Sequence, residues 1–357
     1  MKKLKVAIIG QGRSGRDIHG LYFKSKDNEN YEVAAIVEKD DFRRTNALKE
    51  FPGCVAFEDY TSLFDLKDID IVVNASYSEM HYSITKDLLN HGFNVLVEKP
   101  FGRNYYECSD LIKTAKENNV VLAVFQQSFF APHYVESKKM ADSGKLGDIK
   151  QISIHYNGFS RRWDWQTLQA RLAGGLYNTG PHPVGLALGF LDFDDDTRIE
   201  FSKLGSGLTS GDSDDYAKII LTAPGKPVVD VEVSSLDAFS DFNIKIQGSR
   251  GTYSCTVVDY KYKYIVDGEN PERPVQYEFI KDEKGLPLYC SEELVCHEDS
   301  GKYDGEIFEV GSREFYKMLY NTLVNGDELL IKPEDMAKIV NVIDSVHTQN
   351  PMEKKYF

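Results

Sequence analysis

The 357-residue chain is 41% hydrophobic and 27% charged, with 27 Gly and 12 Pro, the mix of a globular protein of about two domains. Its 42 Lys and Arg stand against 56 Asp and Glu, and the formal net charge of −14 argues against a nucleic-acid binder or a chain docked on anionic membrane. No apolar run reaches the ~20 residues that cross a bilayer, and Val6–Ile9 is far shorter than the ~7–15-residue core of a signal peptide, so a cytoplasmic chain is expected.

Along the first 125 residues, strand-like and helix-like segments alternate. Strands are expected at Lys5–Ile9, Glu32–Val37, Ile69–Asn74, Asn94–Glu98 and Val120–Phe125, all short, rich in Val and Ile and nearly continuous in apolar character. Helical patterns lie between them, one of them (Ile84, Leu88, Leu89) closed by Gly92. This order predicts an α/β chain whose residues 1–125 form a doubly wound parallel sheet.

From Gln126 the texture changes, and residues 126–357 are expected as a second α/β domain with a large, mostly antiparallel open sheet. A helix over His133–Ser143 leads to a strand at Lys150–Tyr156 and then a Trp- and Arg-rich loop. Further strands are expected at Ile199–Leu204, Tyr216–Thr222, Val228–Ser234, Asn243–Gln247, Thr252–Val257 and Val275–Ile280. Two amphipathic helices close the chain, one carrying Phe315, Met318, Leu319 and Leu323, the other Met336, Ile339, Val340 and Ile343. An open sheet of this size often buries its second face against another subunit, which predicts a homo-oligomer, a dimer or tetramer.

Four motifs carry chemistry. Gly10-Gln11-Gly12-Arg13-Ser14-Gly15 directly follows the first strand and opens a helix-compatible stretch, the setting of a dinucleotide-binding turn: Gly12 lets the backbone approach a pyrophosphate and Gly15 lets the helix pack on the sheet. Glu38 ends the second strand, where a carboxylate accepts from the adenosine ribose and repels a 2′-phosphate; this favours NAD over NADP, although Arg43 and Arg44 lie close by. It can equally be one charge of a solvated run. Glu98-Lys99-Pro100 sits at the carboxyl end of a strand, the edge where open sheets hold ligands. A partly desolvated lysine there has its pKa pushed down toward a useful range, and Pro100 makes a cis bond possible, but a surface lysine at a loop start reads the same way.

Fourth is the run Gly174 to His182. If it is helical, Asn178 and His182 lie four apart on one face, and His182 can take a proton from a substrate hydroxyl, unless it is a structural histidine. Arg162, Trp163, Asp164 and Trp165 are candidates for a substrate wall, with rings to stack on sugars and charges to bond hydroxyls, or for a surface loop packing its own aromatics; Gln127 joins them as a substrate-site candidate. The five cysteines include no C-x-x-C pair. Cys290, Cys296 and His297 lack the paired spacing of a zinc site, and no metal is expected.

Taken together, Gly10–Gly15, Glu98-Lys99-Pro100 and the Gly174–His182 segment, in this order, resemble the glucose–fructose oxidoreductase / inositol dehydrogenase family (Gfo/Idh/MocA) over nearly the whole chain. Ser76 to His81 matches part of the family's Thr-Pro-Asn-x-x-His stretch, and Gln247 to Gly251 looks like its Gly-Thr-x-Gly turn. The resemblance implies a Rossmann domain followed by an open-sheet domain, and a carbohydrate or polyol substrate oxidised or reduced by hydride transfer. It implies that Arg13, Ser14, Ser76, His81 and Glu98 join the glycines, Glu38 and Lys99 at the cofactor. It further implies that Lys99 and His182 flank the substrate carbon, with His182 as general base, Lys99 polarising the oxygen and Asn178 at their side. The chain departs from the family pattern at Asn178 and Gly185, where Asp is common, at Tyr77-Ser78 in place of Pro-Asn, and at Ser128-Phe129 in place of an Arg pair. An Asn cannot hold a charge or raise a neighbour's basicity. An NAD-dependent glycosidase with transient sugar oxidation, and a non-catalytic dinucleotide sensor, therefore stand as alternatives.

Overall fold

In the computed structural model, which describes residues 3–356, the chain builds two sheets. Strands β1 (Leu4–Ile9), β2 (Tyr31–Val37), β3 (Val55–Phe57), β4 (Ile71–Asn74), β5 (Val95–Val97) and β6 (Leu122–Val124) form a parallel sheet in the order β3-β2-β1-β4-β5-β6. The order reverses between β1 and β4, which opens a crevice at their carboxyl ends. Val6–Ile8, Ile71–Val73 and Val95–Val97 are almost wholly buried because helices cover both faces of the sheet. Those helices include α1 (Gly20–Lys24), α2 (Asp41–Glu50), α3 (His81–Asn90) and α4 (Tyr105–Glu117).

Beyond α5 (Pro132–Asp142), strand β7 (Ile149–Asn157) enters the second sheet; α6 (Gly175–Asn178) and α7 (Pro181–Phe190) follow it. The remaining strands are β8 (Arg198–Gly205), β9 (Tyr216–Thr222), β10 (Val228–Ser234), β11 (Ile244–Gly248), β12 (Gly251–Cys255), β13 (Asp259–Tyr264) and β14 (His297–Lys302), in the order β14-β13-β12-β11-β7-β10-β9-β8. All neighbours pair antiparallel except β7 and β10. One face is the core (Ile152, Ile154, Ala217, Ile219, Val229, Val231), while the other carries Lys218 in ion pairs with Asp230 (2.6 Å) and Glu232 (3.1 Å).

One expectation is corrected. Val275–Ile280 is not a strand: it lies in an excursion between β13 and β14 where Val275, Tyr277 and Phe279 are largely exposed. On this side the sheet continues through β13 and ends at the edge strand β14; β8 is the opposite edge. The last two helices, α8 (Ile307–Asn325) and α9 (Pro333–Gln349), also pack back onto the first sheet's layer. The Tyr316 ring stacks on Tyr22 at 4.3 Å, its carbonyl accepts from the Tyr31 hydroxyl at 2.8 Å, and Lys116 of α4 pairs with Glu334 of α9 at 2.7 Å. Among the described residues, no helix is long and apolar enough to cross a membrane.

Candidate active site

The glycine turn lies at the carboxyl end of β1. Gly10 has φ +90°, and a Cβ there would sit 2.4 Å from the Ala75 carbonyl oxygen; one on Gly15 would sit 1.9 Å from Gly10 O. At Gly12, by contrast, a Cβ would meet nothing within 4 Å, so this glycine faces open space, as a backbone approached by a pyrophosphate must. Arg13–His19 then winds as a wide π-type helix into α1, with Arg13 exposed and Ser14 half-buried. The Glu38 carboxylate reaches back to this turn, accepting from Gln11 N–H at 2.7 Å and from Asp40 N–H at 2.9 Å. Arg44 is spent on the carbonyls of Glu38 and Lys39 and on Asp41; Arg43 is exposed. An open glycine beside a fixed carboxylate fits a dinucleotide's pyrophosphate and adenosine ribose.

At the end of β5, the Lys99–Pro100 bond is cis, and the Lys99 Nζ donates to the Asn178 carbonyl at 2.7 Å. Burial lowers the Lys99 pKa, helped by Arg13 and Arg162 and opposed by Glu98. Asn178 and His182 do not share one helix. α6 ends at Asn178 and α7 begins at Pro181, with Gly180 at the break, where a Cβ would be 2.2 Å from Leu176 O. The Asn178 Oδ1 accepts from Gln166 Nε2 at 3.0 Å. His182 lies parallel to the Tyr156 ring at 6.5 Å, and its Nδ1 is buried without a hydrogen-bond partner. Burial, then the charge of Lys99, pushes its pKa down to about 3, so the imidazole is neutral. Gln127 is buried nearby in sequence to the end of β6, its Oε1 also unpartnered.

Other expected site residues have protein partners. The Ser76 hydroxyl donates to Asn74 Oδ1 at 2.7 Å. The buried His81 ring lies between Pro100 O (2.8 Å) and Ser76 O (3.2 Å), so it ties the loops after β4 and β5 together. Glu98 is 2% exposed and points inward. Of the loop candidates, Arg162 pairs with Asp164 at 2.7 Å and Trp165 meets Tyr77 edge-to-face at 5.0 Å, whereas Trp163 is 78% exposed and forms no wall. Arg171 lies over the same Tyr77 ring and pairs with Glu79, so the loops that follow β4 and β7 meet across the mouth of the crevice.

Several residues that shape the site were not expected. His19 and Tyr316 stand behind Glu98. Asp214 anchors α6: its Oδ2 accepts Leu176 N–H at 2.6 Å and its carbonyl accepts Gly175 N–H at 2.7 Å. A Cβ on Gly174 would lie 2.2 Å from Asp214 Oδ1, which is the physical reason for the Gly174-Gly175 pair. His19 carried a signal, one helical turn past Gly15; Tyr316 and Asp214 are too distant in sequence to carry one. Among the described residues, no three His, Cys, Asp or Glu side chains gather into a metal-binding group.

Comparison with known proteins shows the family. The family model described as the oxidoreductase family with an NAD-binding Rossmann fold matches residues 4–126, and the GFO/IDH/MocA C-terminal domain matches residues 134–254. A scyllo-inositol 2-dehydrogenase (NADP(+)) of Bacillus subtilis is 26% identical, covering 78% of this chain and 84% of its own. A 2,7-anhydro-N-acetylneuraminate hydratase of Mediterraneibacter gnavus is 22% identical over 82% of this chain and 79% of its own. The crystal structure of GenD2 from gentamicin A biosynthesis, in complex with NAD, superposes with a TM-score of 0.76 at 19% identity, covering 98% of this chain and 94% of that one. The chain belongs to the GFO/IDH/MocA family of oxidoreductases with an NAD-binding Rossmann fold.

Proposed function

We propose that the chain is a nicotinamide-dinucleotide-dependent oxidoreductase that oxidises or reduces a hydroxyl or carbonyl of a sugar, a polyol or a sugar-derived compound, with NAD preferred to NADP. The observation that carries this reading is a partly buried lysine and a neutral histidine brought together at the carboxyl edge of the parallel sheet, beside an open glycine turn. Glu38, with both carboxylate oxygens on backbone N–H groups, supports the NAD preference, because a 2′-phosphate would meet its charge.

A nicotinamide dinucleotide held at the glycine turn and Glu38 would supply the hydride acceptor or donor. The Lys99 ammonium, released from the Asn178 carbonyl, bonds the reacting oxygen and stabilises its charge as the C–H bond breaks. Neutral His182 receives the hydroxyl proton during oxidation and returns it during reduction. Asn178 bonds a neighbouring hydroxyl, and Gln127, with its free Oε1, bonds another. Arg162, Asp164 and Trp165 border the substrate.

A second reading draws on Asn178 in place of a carboxylate and on the relative named as a hydratase: transient oxidation and re-reduction of one sugar, with hydrolysis of a glycosidic bond as one outcome, leaves no net reduced cofactor. The test is nicotinamide absorbance with NAD or NADP and a panel of aldoses, inositols and sugar acids, with Lys99→Ala alongside. Reduction that requires Lys99 and favours NAD is the expected result. Binding of NAD with product formed but no net reduction points to the second reading, and binding without turnover points to a sensor. No binding of either dinucleotide would refute all three.

A further inference from the structure

Glu98 is an ionised carboxylate with no ion-pair partner of fixed charge. It is 2% exposed, and its two oxygens meet the His19 Nε2 at 3.1 Å and the backbone N–H of Lys99 at 3.0 Å. The Lys99 ammonium, the nearest permanent cation in sequence, is turned to the Asn178 carbonyl. Burial pushes the Glu98 carboxyl up, but the hydrogen bond from His19, with the charge of Lys99 beside it, outweighs burial and holds the pKa at about 2.

The ring that bonds Glu98 is itself fixed. His19 is fully buried, edge-on to Phe125, and its Nδ1 meets the Tyr316 hydroxyl at 2.6 Å. Burial raises the Tyr316 phenol well above its ordinary value, so it keeps its proton and donates to Nδ1, which leaves Nε2 as the N–H aimed at Glu98. The Tyr316 backbone is held in turn by the Tyr31 hydroxyl. Three chain segments far apart in sequence thus converge to keep one negative charge buried at the carboxyl end of β5. Its field reaches the groups around the reaction centre, drawing the pKa values of Lys99, His81 and His182 upward against their desolvation.

We propose that Glu98, oriented by the His19–Tyr316 pair, is a fixed counter-charge that makes the site prefer the oxidised, cationic nicotinamide to the reduced, neutral one. This rests on the dinucleotide reading above and adds to it the redox form that the resting site selects. Without the counter-charge, the charges that act on Lys99 are the positive ones of Arg13 and Arg162, the latter already paired with Asp164.

The test compares dissociation constants for NAD+ and NADH, the latter by its own fluorescence and the former by displacement, with melting curves confirming that each variant is folded. Removing this buried unit charge is expected to raise the Kd for NAD+ roughly ten- to hundredfold in Glu98→Gln, while the Kd for NADH stays within about threefold. Tyr316→Phe, which removes one oxygen and no charge, shifts the same ratio in the same direction by a smaller factor and carries the test if Glu98→Gln does not fold. Equal changes in both constants, or none, would overturn the proposal and leave Glu98 a structural group. If the unaltered chain bound neither form, the dinucleotide reading would fail, and this inference with it.

Discussion

Burial decides what His182 does with a proton. With its pKa near 3, the imidazole is neutral across the neutral range, so it can accept a proton but does not hold one. For oxidation, kcat/KM is therefore expected to show no acid-side inflection near the ordinary histidine value of ~6.5. Initial rates between pH 5 and 7 check this, and an inflection there that disappears in His182→Ala would contradict it. On the alkaline side the rate falls as the Lys99 ammonium is lost, at a pH below its ordinary ~10.4. Lys99→Ala and His182→Ala are each expected to cut turnover by roughly 10²–10⁴-fold, the share of acid–base groups; losses under tenfold would remove them from the chemistry.

The same burial ties stability to pH. His81, His133 (about 4) and His182 (about 3) all have folded pKa values below their unfolded ~6.5, with burial the leading cause in each. Below pH ~6.5 the unfolded chain takes up protons that these rings refuse, so stability falls with pH by ~1.4 kcal/mol per pH unit for each ring not yet protonated when folded. Glu98, held at about 2, adds a further loss below its unfolded ~4.3. His347 works the other way: the hydrogen bond and charge of Asp214 outweigh burial and raise its pKa, so its contribution is complete below ~6.5 and fades as pH rises through the folded value. Urea unfolding at stepped pH reads the slope, and His133→Phe should remove one histidine's share of it.

At the scale of elements, the short helix α6 is placed by Asp214. Gly174, at φ +123°, has no room for a Cβ against that carboxylate. Gly174→Ala is expected to cost about 2–3 kcal/mol and to raise KM, because the carbonyl at Asn178 that receives Lys99 moves with the helix. A change under ~0.5 kcal/mol in denaturant unfolding would show that the turn relaxes freely. The parallel strands were legible because burial on both faces leaves a continuous apolar run, as in Val6–Ile9. The last strand, His297–Lys302, carries no apolar side chain, and sheet pairing alone defines it. Val275–Ile280 has strand-like residues and no strand to pair with. In the site, motifs local in sequence were readable: the glycine turn, Glu38 and Lys99. The broken helix between Asn178 and His182 was less so, and the partners from distant segments, Asp214 and Tyr316, were not.

Over the whole molecule, stability is uneven. Both sheets have buried cores, whereas the excursion between β13 and β14 is held by a few exposed contacts such as Arg273 with Glu292 (2.6 Å) and Asn270 with the Val295 backbone. Dilute trypsin is expected to cut first at Arg273, Lys281 or Lys284, leaving fragments that stay together because β13 and β14 remain paired in the sheet. A first cut before residue 125 would contradict this ranking.

The place of Tyr316 also bears on how the chain comes to be folded as it is made. It fills the space between Tyr22, Tyr31 and His19, so the aromatic floor beneath the first sheet is supplied by a helix almost two hundred residues downstream of β6. During synthesis the first third leaves the ribosome with that floor open and a histidine and a carboxylate facing the gap. It stays a half-finished, sticky intermediate until α8 emerges, and a fragment ending near residue 126 should collect in inclusion bodies.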